Sequence, residues 1–411
     1  LGKPGSQRFE VNAYGKRIKE VEYIKGEVGK NFITTLDTEV QNSATEILKG
    51  KSGSICVMDI YNGDIIAMAS SPSFDPNLFV HGISKNEWDS LINNPQKPLM
   101  NKSLSGLYPP GSTIKPIVAL SALEFDVIST KLVVKCEGHI ELYGQKYHCW
   151  KKKGHGYVGL RNAIKQSCDV YFYEVARRLG VDRFSQTAKK FGLGKNVFDN
   201  FIEEKPGIVP STKWKLKEIG VGWVLGETLL TGIGQGYFQT SPMQLCLMTA
   251  QLANGGFSIR PRITYEKKDR KIFFKKPRFQ SLFRNQENIK FVTEAMFGST
   301  NEILGTSFGS RFRDKKYVYA GKTGTSQVRS ITEEERFLEI KNKDLPYKDR
   351  DHALFVAFFP YKNPKYAISV VIEHGGTGSS GAAPLAKKII KKVIDRDELR
   401  KIQMMKNLEE I

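Results

Sequence analysis

Strand-forming segments lie near the two ends of this 411-residue chain, and a long helical region separates them. Apolar runs typical of strands occupy residues 54–60, 65–70, 316–327, 352–361 and 365–374. Between 86 and 302 the pattern is mostly helical, with Gly and Pro breaks and no sustained strand pattern. Strands that are distant in sequence must then share a sheet. This organisation predicts an α+β fold, in which one mixed sheet carries a large helical insertion between its second and third strands.

The domain boundaries follow from the same pattern. The polar, Gly-rich residues 1–31 indicate a linker or the tail of a preceding pedestal domain. The rest divides into a globular domain at 32–400, made of a sheet subdomain at about 32–75 and 312–400 and a helical subdomain at about 76–311. The polar stretch 329–350 interrupts two strands, and we expect it to be a mobile surface loop.

The chain is strongly basic, because 63 Lys and Arg residues against 43 Asp and Glu residues give a net charge of +20. Such an excess suits nucleic acid, an anionic membrane surface or an acidic polymer. No zinc-finger, RNP or KH pattern accompanies it, so a solvated basic surface is favoured and no nucleic-acid partner is expected. No apolar run approaches the roughly 18 residues of a membrane span. Since the chain begins with Leu1, we expect a fragment whose membrane anchor lies upstream.

The tetrapeptide Ser112-Thr113-Ile114-Lys115 is the only Ser-x-x-Lys in the sequence. Pro116 lacks a backbone N–H and is accepted by an uninterrupted helix only in its first turn, so the helix should begin at about Ser112. Ser112 and Lys115 then share one face, and a neutral Lys115 can remove the Ser112 proton. The alternative is an ordinary helix start with a capping serine and a solvated lysine.

A predicted strand carries Lys322-Thr323-Gly324-Thr325. Gly is costly inside a strand unless something approaches the backbone closely, and here that could be a substrate peptide added as an extra strand. Lys322 would supply positive charge for a carboxylate and would hold Lys115 neutral. The alternative is a strand that ends in a Gly turn.

Ser167-Cys168-Asp169 lies between these motifs, on a loop or a helix start. Ser167 could relay a proton to a leaving group, although a plain capping serine would also fit the pattern. Ser-x-x-Lys, Ser-Asp-Asn and Lys-Thr-Gly together are the signature of penicillin-binding proteins and class A β-lactamases, and their order and wide spacing match this chain.

The chain resembles the class B penicillin-binding proteins, in particular the penicillin-binding protein 2 subclass of the cell-elongation machinery, over essentially its whole length. Further stretches that carry the resemblance are Gly2-Lys3-Pro4-Gly5, Ser71-Pro72-Ser73-Phe74-Asp75-Pro76-Asn77, Tyr108-Pro109-Pro110-Gly111-Ser112, Trp150-Lys151-Lys152-Lys153-Gly154-His155-Gly156, Gly232-Ile233-Gly234-Gln235-Gly236-Tyr237 and Glu373-His374-Gly375-Gly376. The second motif of the family is usually Ser-x-Asn, and Asp169 resembles the variant of this subclass.

The resemblance implies a penicillin-binding and serine β-lactamase-like transpeptidase fold and a peptidoglycan D,D-transpeptidase. It implies a catalytic set of Ser112, Lys115, Ser167, Asp169 and Lys322, and a substrate-binding set of Thr323, Gly324 and Thr325. Ser112 would attack the penultimate D-Ala carbonyl of a donor stem peptide, and an amine of a neighbouring strand would take the acyl group. The N–H groups of Ser112 and Thr325 would form the oxyanion hole, and the hydroxyls of Thr323 and Thr325 would hold the substrate carboxylate. β-Lactams would acylate Ser112, and this chemistry requires no cofactor.

The same resemblance implies a location and partners. The chain would act at the periplasmic face of the bacterial inner membrane, anchored by an N-terminal helix that precedes it. Its partners would be peptidoglycan stem peptides, β-lactams, a membrane glycan polymerase of the SEDS family and the scaffold of the rod complex.

Three of the five cysteines and one histidine gather in one segment, at Cys136, Cys149, His155 and Cys168. Their C-x12-C-x5-H-x12-C spacing matches no compact zinc finger, but a tetrahedral Cys3His structural zinc site is possible. Buried free thiols or a disulfide are the alternatives, and His148 is a rival ligand.

Other functions also fit parts of the pattern. A D,D-carboxypeptidase shares the motifs, whereas a β-lactamase needs a second base and no Glu motif of that kind is evident. A catalytically silent binding or scaffold protein would not need all three motifs. Gly232-x-Gly234-x-Gly236 resembles part of a dinucleotide fingerprint, but no strand precedes it, so a structural Gly-rich turn is favoured.

Overall fold

The computed structural model describes residues 2–29, 32–80, 82–199, 201–265, 281–283, 285–338 and 340–409. Its strands are β1 Ser6–Val11, β2 Arg17–Ile24, β3 Gly53–Asp59, β4 Ile65–Ser71, β5 Val133–Cys136, β6 His139–Leu142, β7 Gln145–His148, β8 Gly156–Gly159, β9 Ala320–Ser326, β10 His352–Phe359 and β11 Tyr366–Ile372. Its α-helices are α1 Thr38–Leu48, α2 Lys85–Ile92, α3 Lys102–Ser105, α4 Lys115–Glu124, α5 Leu160–Lys165, α6 Asp169–Leu179, α7 Val181–Lys190, α8 Thr212–Ile219, α9 Leu225–Gly232, α10 Pro242–Ala253, α11 Gln286–Asn301, α12 Glu333–Phe337 and α13 Ala383–Glu409.

A five-stranded sheet in the order β4-β3-β11-β10-β9 forms the frame of the structure. Strands from both ends of the chain share this sheet, and the helical region is inserted between β4 and β9, as the sequence predicts. The sheet is antiparallel throughout, whereas the sequence analysis expected a mixed sheet. Three of the four pairings, β3-β4, β9-β10 and β10-β11, join consecutive strands between which the chain reverses. The fourth, β3-β11, is antiparallel because of the direction in which the helical insertion returns the chain to β9. β9 is an edge strand of the sheet.

Helices cover both faces of the sheet, and this explains the continuous apolar run of β10. Phe355 and Phe359 pack with α1 and α13 on one face. Leu354 and Phe358 pack with α4, α6 and α11 on the other face. Because side chains alternate along a strand, two covered faces require apolar residues at every position.

Four short strands interrupt the region that the sequence predicts to be helical. β5 pairs with β8, and β6 pairs with β7, each pair antiparallel. Each strand has only 4 residues, and most of their side chains are exposed or half-buried. Such strands leave no apolar pattern to read. This β5–β8 unit leads directly into α5 and α6.

The two segments outside the compact core have simple structures. β1 and β2 form a separate antiparallel hairpin whose side chains are almost all exposed. The 329–350 segment, expected to be a loop, contains α12 and two 3₁₀ turns, and the side chain of Asn342 binds Asp351 at its end. Its mobility stays a prediction. Among the described residues, no helix has both the length and the apolar character that a membrane crossing requires.

Candidate active site

Ser112 lies in a 3₁₀ turn, Gly111–Ile114, that leads into α4. Pro116 occupies the first turn of α4, so the helical segment begins beside Ser112, as its imino nitrogen requires. Ser112 is half-buried, whereas Gly111 and Thr113 on either side are buried. The serine therefore lies where the core meets the solvent, at a position that a substrate can reach.

Lys115 is fully buried and contacts the segment that joins α5 to α6. Its Nζ lies 2.6 Å from Asp169 Oδ1, 2.9 Å from the carbonyl oxygen of Ser167 and 3.2 Å from Ser167 Oγ. The lysine thus joins two motifs that are far apart in sequence. The sequence predicts that burial or a nearby cation such as Lys322 keeps Lys115 neutral, and it gives no sign of the contact with a carboxylate.

Both carboxylate oxygens of Asp169 contact a hydrogen-bond donor. Burial raises the pKa of Asp169, and the positive charge of Lys115 opposes this rise. While Oδ1 faces Lys115, Oδ2 accepts a hydrogen bond of 2.9 Å from the backbone N–H of Trp150. Trp150 directly follows Cys149, so this carboxylate connects the second motif to the segment between β7 and β8.

Lys322 is fully buried on β9 and is electrostatically coupled to the same group of residues. Burial and, next, the positive charge of Lys115 hold the pKa of Lys322 well below its usual range, although Asp169 opposes the shift. Its Nζ donates to the carbonyl oxygen of Thr323 at 3.2 Å. The positive charge of Lys115 thus acts on Lys322. The predicted effect of Lys322 on Lys115, and the catalytic role of each lysine, stay predictions.

Gly324 is required by the protein's own packing. A Cβ atom at this position would lie 2.7 Å from Thr113 Cγ2 and 3.1 Å from the carbonyl oxygen of Pro110. Close approach of the turn that carries Ser112 therefore accounts for this glycine, and the expected close approach of a substrate stays a prediction. Thr325 follows on β9 and pairs with Ala353 of β10.

Thr306, in the segment after α11, was missed by the sequence analysis. Thr323 Oγ1 donates to Thr306 Oγ1 at 2.8 Å, and Thr306 Oγ1 lies 3.1 Å from Ser299 Oγ. Ser299 is fully buried. These contacts fix the orientation of the Thr323 hydroxyl. An isolated Thr after a Gly carries no sequence signal for such a role.

The four predicted metal ligands come together. The ligand atoms of Cys136, Cys149, His155 and Cys168 all lie within 4.8 Å of one another. Nδ1 of His155 is 3.5 Å from the sulfur atoms of both Cys136 and Cys149. A hydrogen bond from the Cys168 thiol, above all, lowers the pKa of Cys149 well below its usual range. The rival ligand His148 is not in this group, and all five cysteines are free thiols, so the structure contains no disulfide among them.

The donor set fits a structural metal ion. Three thiols and one imidazole nitrogen supply four ligands, the number that a tetrahedral Zn²⁺ site needs. The three cysteines are buried and His155 is half-buried, so protein atoms would fill the whole coordination sphere. Cys168 lies between Ser167 and Asp169, so this group is continuous with the second catalytic motif.

The fold and the site together define a class of protein. A serine at a helix start, a buried lysine three residues later and a second buried lysine on an edge strand are typical of serine acyltransferases that react with penicillin. The sequence-family model of the penicillin-binding protein transpeptidase domain matches residues 53–391 of this chain. The chain belongs to this family.

Individual relatives support the assignment. The chain is 35% identical to the peptidoglycan D,D-transpeptidase MrdA of Salmonella typhimurium over 400 residues, which are 96% of this chain and 64% of the relative. It is 36% identical to MrdA of Haemophilus influenzae over 397 residues, which are 95% of this chain and 60% of the relative. The chain therefore spans less than two thirds of the length of these curated relatives.

Solved structures agree in fold. PBP2 of Pseudomonas aeruginosa, in complex with WCK 5153, is 37% identical with a TM-score of 0.79, over 90% of this chain and 80% of that one. PBP2 of Helicobacter pylori, in complex with MreC, is 33% identical with a TM-score of 0.80, over 96% of this chain and 69% of that one. The resemblance to the penicillin-binding protein 2 subclass is thereby confirmed.

Proposed function

We propose that the chain is a peptidoglycan D,D-transpeptidase that cross-links stem peptides through an acyl-enzyme on Ser112. The observation that carries the proposal is the buried Nζ of Lys115, which contacts both Ser167 and Asp169 and belongs to the same helical segment as Ser112. Its curated relatives are named peptidoglycan D,D-transpeptidases. A role in cell-wall elongation follows from the same likeness.

Acylation begins at the serine. Ser112 Oγ forms a bond to the carbonyl carbon of the penultimate D-Ala, while its proton passes to the neutral amine of Lys115. The N–H groups of Ser112 and Thr325 stabilise the oxyanion, because they are fixed donors in a partly buried site. The C–N bond then breaks, and Ser167 relays a proton to the departing D-Ala nitrogen.

Cross-linking completes the cycle. An amine of a second stem peptide attacks the ester carbonyl, and the proton that it gives up passes through the same groups to Ser112 Oγ as the ester C–O bond breaks. One peptide bond is broken and one is formed. Asp169 Oδ1 holds the Lys115 amine in place, and the buried side chain of Lys322 lies in the same group of residues. The Thr325 hydroxyl would hold the terminal carboxylate of the donor, and the Thr323 hydroxyl would join it by turning its proton from Thr306 to the carboxylate.

Penicillin labelling tests the site. The intact chain is incubated with fluorescent penicillin, digested, and the modified peptide is mapped by mass spectrometry. We expect a long-lived adduct on Ser112, complete loss of labelling in Ser112→Ala, and normal labelling in Ser129→Ala, an exposed serine of the same subdomain. An adduct on another residue, or none, would contradict the proposal.

We also infer that Cys136, Cys149, His155 and Cys168 bind one structural Zn²⁺. The metal would join the β5–β8 unit to the start of α6 and so support the segment that carries Ser167 and Asp169. Metal analysis of purified protein should find about one zinc per chain, as expected for a closed site. Cys168→Ser should lose it, and Cys246→Ser, a buried cysteine of α10, should keep it. Metal-free wild-type protein would contradict the inference.

The location and partners are proposed from likeness. We propose that the protein acts in the periplasm at the inner membrane, together with a SEDS-type polymerase and a rod-complex scaffold. The solved relative from Helicobacter pylori is a complex with MreC, and a relative 27% identical to this chain belongs to a peptidoglycan synthase complex. Co-purification of the natural protein from membranes with both partners is expected, and recovery without either would argue against this assembly.

A further inference from the structure

The Gly-rich turn at 232–236 crosses the two backbone segments that carry the proposed oxyanion donors. The carbonyl oxygen of Gly234 accepts a hydrogen bond of 2.8 Å from the N–H of Gly111, the residue before Ser112. The next side chain, Gln235, donates from Nε2 to the carbonyl oxygen of Thr325 at 3.0 Å. Gly234 thus binds the segment that carries Ser112, and Gln235 binds the segment that carries Thr325.

The three backbones are stacked with no space for side chains between them. A Cβ atom on Gly234, which has φ +76°, would lie 2.2 Å from the carbonyl oxygen of Gly111. A Cβ atom on Gly111, which has φ +53°, would lie 2.5 Å from the carbonyl oxygen of Thr325. These glycines are needed because the backbones touch, and a small shift of one segment must move its neighbours.

Gln235 is well placed to hold this stack. Its side chain is largely buried, with 9% of the residue exposed, and its own backbone N–H donates to the carbonyl oxygen of Leu230 in α9 at 2.9 Å. The side chain therefore connects a helix of the helical subdomain to the edge strand β9. The N–H and the carbonyl group of Thr325 flank the same α-carbon, so fixing the carbonyl restricts the direction of the N–H.

We propose that Gln235 is a positioning residue that keeps the two halves of the oxyanion hole, at Ser112 and Thr325, in register for acylation. The inference rests on the proposed function, because it assumes that these N–H groups bind the oxyanion. Gln235 acts on the site indirectly. It acts through Thr325, while Gly234 beside it acts through Gly111.

The test separates binding from chemistry. Stopped-flow kinetics with a chromogenic β-lactam give the dissociation constant of the non-covalent complex and the first-order rate constant of acylation. Gln235→Met removes the amide donor at similar length, and Gln235→Glu keeps the shape but loses the donor. Because loss of an oxyanion donor costs about 10²–10³-fold and a misplacement of about 1 Å can cost about 10²-fold, we expect acylation to slow about 10–100-fold. The dissociation constant should change less than about threefold, since the bond acts mainly in the transition state.

Gln244→Met is the matched control. Gln244 is also buried, and its Nε2 donates to the carbonyl oxygens of Lys195 and Pro206 at 2.8 Å and 2.7 Å, outside the proposed oxyanion hole. Its loss should lower stability and leave the acylation rate constant of the folded fraction unchanged. Equal acylation rate constants in wild type and both Gln235 variants would overturn the proposal, as would a change confined to the dissociation constant. Failure of the wild type to acylate would instead overturn the proposed function, and this inference with it.

Discussion

Replacing Asp169 tests whether Lys115 depends on a buried carboxylate. The lysine side chain has 0% exposure and the aspartate side chain 12%, and they are 2.6 Å apart. Removal of one partner from a buried ion pair costs about 3–5 kcal/mol, because the remaining charge is left in a medium that solvates it poorly. Asp169→Ala should therefore lower the free energy of unfolding by about 3–5 kcal/mol.

Asp169→Asn should be milder and informative. Asn has one acceptor oxygen, but Asp169 serves two donors, Lys115 and the N–H of Trp150. One of them must lose its acceptor, at about 1–3 kcal/mol. Urea denaturation of wild type and both variants measures these differences, and acylation rates from the same preparations report the site. A loss below about 1 kcal/mol for Asp169→Ala would refute the idea that the buried Lys115 side chain depends on this carboxylate.

Three further predictions concern residues other than Lys115 and Asp169. Thr306→Val should slow penicillin acylation about 5–10-fold, because one hydrogen bond of about 1 kcal/mol no longer orients the Thr323 hydroxyl. Thr306→Ser keeps the acceptor oxygen and should leave the rate unchanged, and timed penicillin labelling measures both variants. Gly324→Ala should lower the free energy of unfolding by about 1–3 kcal/mol, because the new Cβ meets Thr113 Cγ2. Adding Thr113→Ser removes that methyl group and should recover part of the loss. Losses of free energy that simply add in the double variant would contradict this reasoning. Burial disfavours the charged form of Asp397, but hydrogen bonds from residues 365 and 366 outweigh it and lower its pKa from 3.8 to about 2. The charged Asp397 side chain contributes about 2 kcal/mol to the free energy of unfolding at any pH above its ordinary pKa, and this contribution is lost as the pH falls to the folded-state pKa. The difference in unfolding free energy between wild type and Asp397→Asn should therefore vanish in acid. A difference that persists in acid would exclude the ion pair as its source.

Much of the fold could be predicted because its strands are buried on both faces. The continuous apolar runs that became β10 and β11 leave an unmistakable pattern, and hairpin turns join them. The β5–β8 unit escaped prediction, since strands of 4 half-exposed residues have neither the length nor the alternation of a typical strand. The parallel or antiparallel character of the sheet also escaped, because it depends on how the long helical insertion returns to β9.

The candidate site could be predicted in its parts but not in its connections. Motif spacing located Ser112 and Lys115, since Pro116 restricts where their helix begins. The contact between Lys115 and Asp169 joins residues 54 positions apart, and only the tertiary fold brings them together. Gln235 belonged to a turn that was read as structural, because a side-chain bond to a distant carbonyl leaves no local pattern.

The formation of a new peptide bond tests the central claim most directly. The protein is incubated with a donor peptide that ends in D-Ala-D-Ala and with a D-amino acid as acceptor. The products are separated and identified by mass spectrometry. The account predicts release of D-Ala together with a product that carries the acceptor, and loss of both in Ser112→Ala. Hydrolysis alone, with a shortened donor and no acceptor incorporated, would show a carboxypeptidase and contradict the account.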